Sequence, residues 1–224
     1  MRIVAVVPAY NEAPVVGRVV RDLRAVVDSV VVVDDGSSDE TAAVAKREGA
    51  VVVRHGLNRG QGAALGTGIR YALEWGADII VTFDADGQHQ AADVPRLVEP
   101  LLLGRCDVTL GSRFCRGAAV VGMPRARRLL VAIAARFDRL RTGLAITDTH
   151  NGLRAFTRQA AARLVIRHDG MAHASEILDE IARHGLRFTE VPVSVRYTPY
   201  AGGKGQRLGA SWAIVRDLVL GRWA

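Results

Sequence analysis

A chain of 224 residues has the length of one ordinary domain, or of one domain with an appended arm, and is long enough to bury a sizeable core. Its apolar content of 49% with only 5% aromatics fits a Val/Ala/Leu-rich α/β protein and excludes a disordered chain. A formal net charge of +7 and a pI near 10.2 favour anionic partners, from nucleotides and phosphorylated lipids to membrane surfaces or nucleic acid.

The opening run "MRIVAVVPAY" carries one charge, is short, and passes into Asn11-Glu12 without a small-residue cleavage site. It reads as a core strand over 2–7 rather than a signal peptide. Val15, Val16, Val19, Val20, Leu23, Val26 and Val27 then recur at helical spacing, predicting a helix over 13–27. Val30 to Val33 form a second strand ending in "DDGSSDET", where Ser38 or Asp39 is placed to cap a helix that Gly49 ends. A third strand follows over 51–53, then the loop "HGLNRGQG", a helix over 63–75 closed by Gly76, and a strand over 78–83. The two cysteines, Cys106 and Cys115, lack metal spacing and are too few for a disulfide framework, which predicts reduced thiols in a cytosolic protein. Beyond residue 112 the pattern loosens. A basic amphipathic helix is expected over 125–140, a turn entering a strand over 148–156, helices over 158–166 and 174–184, one half-exposed strand over 186–197, and a last apolar-faced helix over 208–224. No uncharged apolar stretch approaches the roughly 18 residues of a transmembrane helix, so the chain is not expected to span a membrane.

Strand–helix alternation of this kind predicts an α/β fold with a doubly wound, mostly parallel sheet. Ligands of such sheets bind beyond the carboxyl ends of the strands. Three polar segments emerge there: "PAYNE", "DDGSSD" and "DADGQH". The P-loop pattern is absent, and "GQGAALG" (60–66) has the wrong third spacing for a dinucleotide fingerprint. In "DADGQH", Asp84 and Asp86 fall on one side of an extended segment, with Gln88 continuing the register. An Asp-x-Asp pair of this kind suits Mg²⁺ or Mn²⁺, hard cations that take oxygen ligands and keep substrate phosphates in their shell.

The segments "VVPAYNE", "VVVDDGSSDET", "NRGQGAAL", "FDADGQH", "GSR" and "DTHNGLRAF", in this order and spacing, resemble the inverting family-2 glycosyltransferases of the GT-A fold. The subgroup most similar contains dolichyl-phosphate mannose synthases and polyprenyl-phosphate glycosyltransferases. The resemblance spans roughly residues 1–200. It implies a single glycosyltransferase domain over 1–224, with a nucleotide-sugar half (1–112) and an acceptor half (113–224). It implies a donor site drawn from Pro8, Tyr10, Asn11, Glu12, Asp35, Gly62 and Asp84, with Asp35 on the base ring. Asp84, Asp86 and Gln88 would set Mg²⁺ or Mn²⁺ against the donor diphosphate, a GDP-mannose or UDP-glucose type of substrate. Catalysis would involve Asp86, Arg113 and Asp148; Arg113 and the Arg125, Arg127, Arg128 cluster would position an acceptor phosphate. Asp148 is a base, an arginine partner or a turn-former on this reading. His150-Asn151 stands where mannose synthases carry Thr-Ser, a departure on the acceptor side. Glu176 matches an acidic residue bordering that side.

The expected reaction moves a hexose to polyprenyl phosphate at an anionic membrane, with the protein peripheral on the inner face of the cell membrane. The alternative is the same fold acting on a soluble or glycan hydroxyl. A nucleic-acid partner is not expected, because the few aromatics are scattered and it leaves "DADGQH" unexplained.

Overall fold

The computed structural model describes residues 1–197; the expected helix over 208–224 lies outside the described residues. The sheet begins with β1 (Ile3–Ala9), β2 (Ser29–Asp34), β3 (Val51–Arg54) and β4 (Ile79–Thr82), connected by helices α1 (Ala13–Arg24), α2 (Thr41–Arg47) and α3 (Gln61–Glu74). After a short 3-10 turn at Ala91–Asp93 come α4 (Val94–Leu102), β5 (Val108–Ser112), β6 (Ala119–Val121), α5 (Arg125–Thr142), β7 (Arg154–Thr157), α6 (Arg158–Ala161), α7 (His173–Arg183), β8 (Phe188–Pro192) and β9 (Ser194–Arg196).

Seven strands form one sheet in the order β3-β2-β1-β4-β7-β5-β8, parallel throughout except for β7. β6 and β9 pair as a separate parallel ribbon. Side chains alternate between the two faces. Ala5, Val7, Val30, Val32, Ile79 and Val81 pack with Val16, Val20 and Leu23 of α1 and Leu97 of α4. Val4, Val6, Val31, Val33 and Ile80 pack with Leu65 and Ile69 of α3 and Ile177 and Ile181 of α7. Helix α3 sits close against β1 because residue 68 is glycine; a Cβ there would overlap the Val6 side chain.

Several boundaries differ from those expected. α1 ends a turn early, at Arg24. The N-cap of α2 is Glu40, not Ser38 or Asp39. Asp39 still accepts from Thr41 N at 3.0 Å, and also from Ala13 N at 3.2 Å, so one carboxylate serves the first turns of two helices. Helix α6 is a single turn rather than a helix over 158–166. The single strand expected over 186–197 is two strands in two sheets, with fully buried Val193 between them.

Candidate active site

The carboxyl ends of β1, β2 and β4 lie on one edge because the three strands are parallel. Antiparallel β7 runs the other way, so the loop that enters it, residues 148–153, reaches the same edge. A cleft of about 510 Å³ opens there.

The loop after β1 contributes Pro8, Tyr10 and Glu12 to the cleft wall, with Tyr10 48% exposed. Asn11 does not reach the wall. It adopts a left-handed φ of 54°, which asparagine tolerates, and its Oδ1 accepts from Ser38 N at 2.9 Å. Asp35, after β2, lines the cleft although 97% of its surface is covered. Its carboxylate accepts from Arg59 N (3.0 Å), Gly60 N (2.7 Å) and His55 Nδ1 (2.7 Å), and so shapes the turn into α3. Gly60 and Gln61 line the cleft, whereas Gly62 packs behind it and donates to Asp169 O at 2.7 Å. A Cβ at Gly62 would overlap His168 O, so this glycine serves the close packing of α3 against the 168–170 segment.

Asp84 and Asp86 both line the cleft, but not as alternating positions of a strand. β4 stops at Thr82 and the chain turns through Gly87 at φ +71°. Asp84 keeps 26% of its side chain exposed. It accepts from Gln61 Nε2 at 3.0 Å and bonds His89 Nε2 at 3.2 Å. Burial pushes its carboxyl up, but the His89 bond and the field of Arg154 outweigh this and hold it below the ordinary value. Asp86 shifts the other way, raised by burial and by the charge of Asp84. Gln88 lines the cleft, and its Nε2 donates to Asp86 Oδ2 at 2.6 Å, which orients Asp86. Among the described residues no three His, Cys, Asp or Glu side chains form a metal cluster. Two mutually repelling carboxylates facing a cleft nevertheless match the donor set of a hard divalent cation, which uses one or two carboxylates and completes its shell with phosphate oxygens.

Arg113, just past β5 and 8% exposed, lines the same cleft. Asp148 lies beneath it rather than on the wall. Its carboxylate accepts from Arg113 Nε and Nη2, both at 2.6 Å, and from Arg113 N at 3.0 Å. Burial pulls the guanidinium's value down, but the bonds to Asp148 reverse this and raise it; the same pair holds Asp148 below the carboxylate range. Of the three roles open to Asp148, this geometry is that of an arginine partner. Arg113 Nη1 also donates to the Tyr197 hydroxyl at 2.7 Å, and Arg127 stacks over the Tyr197 ring at 5.0 Å. Arg127, Leu130, Val131 and Ala134 of α5 form the outer wall.

Arg154 and His173 also line the wall and were not singled out from the sequence. Arg154 donates to Asn151 O (3.0 Å), Thr149 O (3.1 Å) and Ala174 O (3.3 Å), and burial pulls it down to about 10. A lone arginine opening the apolar run of "LRAF" was the signal. His173, brought down to about 4 by burial, bonds Gly170 O at 2.8 Å. Glu176 does not line the cleft. It accepts from Arg167 N and His168 N, anchoring the 167–168 backbone.

The face of α5 turned from the cleft mixes exposed apolar and basic side chains. Val131, Ala134, Ala135 and Asp138 are buried, but Leu129 (63%), Ile133 (52%) and Leu140 (78%) are exposed. Arg125, Arg128, Arg136 and Arg139 are exposed on the same helix. Arg141 is instead paired with Asp138 and Asp179. Among the described residues no helix is long and apolar enough to cross a membrane.

An open, mostly parallel sheet whose carboxyl edge carries a cleft lined by an acid pair and a buried arginine has the architecture of the GT-A class of glycosyltransferase. The chain belongs to Glycosyl transferase family 2, whose pattern matches residues 4–165. An uncharacterized protein of Methanocaldococcus jannaschii is 39% identical over 221 residues, 97% of this chain and 91% of that protein. The undecaprenyl-phosphate mannosyltransferase of Micrococcus luteus is 34% identical over 204 residues, 87% of this chain and 83% of that one. Among solved structures, glucosyl-3-phosphoglycerate synthase from Mycobacterium tuberculosis, in complex with Mn²⁺, UDP-glucose and phosphoglyceric acid, superposes with a TM-score of 0.74. It is 26% identical, covering 99% of this chain and 79% of that one.

Proposed function

We propose that this glycosyltransferase moves a hexose from a nucleotide sugar of the GDP-mannose or UDP-glucose type to polyprenyl phosphate, with inversion, at the inner face of the cell membrane. The observation that carries this reading is that Asp84, Asp86 and Arg113 line one cleft. An acid pair suits a cation on the donor diphosphate. A buried guanidinium with its own counter-ion suits an anionic acceptor, which needs positioning more than it needs a general base.

Asp84 and Asp86 would hold Mg²⁺ or Mn²⁺, which when bound offsets the charge that builds on the leaving diphosphate. Tyr10, Glu12 and the turn shaped by Asp35 bound the nucleoside end. Arg113, held rigid by Asp148, and Arg127 orient the acceptor so that one of its oxygens meets the anomeric carbon opposite the leaving group. Gly152 lets the wall approach the acid pair, since a Cβ there would overlap the Asp84 carboxylate.

The lipid acceptor draws further support from α5. Leu129, Ile133 and Leu140 would each contribute up to about 1.5–3 kcal/mol if buried in an interface. The exposed arginines would add about 1 kcal/mol each near an anionic surface. The two contributions are comparable, so membrane binding should weaken in salt without vanishing.

The test incubates the full chain and Mn²⁺ with labelled nucleotide sugars, with and without a short-chain polyprenyl phosphate, followed by extraction into organic solvent. Lipid-linked label that disappears with EDTA and with Asp86→Asn is the expected result. Label transferred only to a soluble hydroxyl acceptor would replace the lipid reading with the alternative, and full activity in excess EDTA would remove the metal.

A further inference from the structure

The loop from Asp148 to Gly152 is fixed almost atom by atom. Asp148 is spent on Arg113, and its amide donates to Glu190 at 3.1 Å. The Thr149 hydroxyl bonds Asp138 of α5, and the Thr149 carbonyl accepts from Arg154 at 3.1 Å. Asn151 Oδ1 accepts from Leu153 N at 3.0 Å, and Gly152 O accepts from the Thr82 hydroxyl at 2.7 Å. One side chain in this loop is left out. His150 lies on the cleft wall and bonds no other side chain or backbone group among the described residues.

A half-buried imidazole held in place only by its backbone, and facing a substrate cleft, has its nitrogens available to a ligand. We infer that His150 takes the proton of a phosphomonoester acceptor as the acceptor's oxygen attacks the sugar. This rests on the lipid-phosphate reading above. The P–O–H bond breaks with its proton passing to a ring nitrogen of His150. The freed electron pair forms the bond to the anomeric carbon, and the bond from that carbon to the nucleoside diphosphate breaks with its pair on the leaving oxygen. The acceptor can therefore react while it still carries one proton.

The charges around the ring suit this task. Asp138 from α5 and Asp148 from the loop itself favour the protonated ring; Arg113 beyond β5, Arg154 of β7 and His173 of α7 oppose it. Burial is the largest influence and holds His150 below the ordinary imidazole value, so the ring stays a proton acceptor into mildly acidic solution. The two carboxylates then stabilise the imidazolium that forms.

The experiment measures kcat/KM for short-chain polyprenyl phosphate between about pH 5 and 8.5, comparing the wild type with His150→Gln and His150→Ser. Affinity for the nucleotide sugar is measured alongside by calorimetry with Mn²⁺. A phosphomonoester dianion takes up one proton near pH 6. The ratio of wild type to variant should widen as the pH falls through that value, with donor affinity alike in all three proteins. A ratio constant across the range, or one that follows donor affinity, overturns the inference. Absence of lipid-linked product from the wild type at every pH overturns the lipid-phosphate reading itself, and the inference with it.

Discussion

Replacing Asp148 by asparagine separates an arginine partner from a catalytic base. The substitution keeps the shape of the side chain and one acceptor oxygen, but leaves Arg113, 8% exposed, without its counter-ion. Breaking a buried ion pair on one side costs about 3–5 kcal/mol, because the surviving charge is stranded. Arg113 faces the cleft, where water can reach it, so the lower figure of about 3 kcal/mol applies. For a domain of this size that corresponds to a fall in Tm of about 6–12 °C. Asp148 has a folded value below its unfolded one, so its contribution is fully present above about pH 3.9 and is lost as pH falls through the folded value. The gap in stability between wild type and variant should therefore be constant near neutrality and close in acid. Thermal unfolding followed by circular dichroism reads both effects. Arg113→Met combined with Asp148→Asn removes both charges, so it should recover much of the lost stability while transfer is lost with the Arg113 guanidinium. A variant with Tm unchanged and turnover lost would return Asp148 to the role of base and refute this account.

Gly152→Ala should abolish Mn²⁺-dependent nucleotide binding while leaving the fold intact, since the added Cβ meets the Asp84 carboxylate; calorimetric titration with nucleoside diphosphate and Mn²⁺ checks this. Asp35→Ala removes the acceptor for Arg59 N, Gly60 N and His55, and should raise KM for the donor more than it lowers kcat. A hundredfold fall in kcat at unchanged KM would instead assign Asp35 to the chemistry. Leu129→Ser with Ile133→Ser should reduce co-sedimentation with anionic vesicles, and binding by the wild type should decline as salt rises; indifference to both would leave α5 without a role at the membrane.

The first half of the chain was largely legible because its signals are local. Each β-branched run ends in a polar loop and each helix carries its apolar residues at one spacing, so β1 to β4 and their helices follow from neighbours in sequence. Asp84 and Asp86 were correctly placed at a strand end, yet their side-by-side register was not, because the chain leaves the extended conformation after Thr82 and turns at 85–87. The acceptor side obeys long-range constraints that no window of sequence contains. Nothing local in "RAFT" says that β7 runs antiparallel between β4 and β5. Nothing local in "VPVSV" says that the chain changes sheets at Val193. Helix α4 was not anticipated, as Pro95 and Pro100 interrupt its pattern. Asp148 kept three roles in the sequence because its partner, Arg113, lies 35 residues away.

The insertion of β7 also orders the assembly of the molecule in time. Strands β1 to β4 are joined by helical crossovers close in sequence and can pair as the chain emerges, bringing the loops that carry Asp35, Asp84 and Asp86 to one edge. The opposite wall cannot exist yet. Thr82 must find Gly152, 70 residues further on, before the gap beside β4 closes. Until then β4 is an open edge, with its backbone groups unpaired and exposed to other chains. Closure of such a distant pairing is slow compared with the local steps before it. A chain in which that pairing has not closed has the nucleotide-binding loops but nothing to deliver an acceptor to them, and its free β4 edge is open to pairing with other chains.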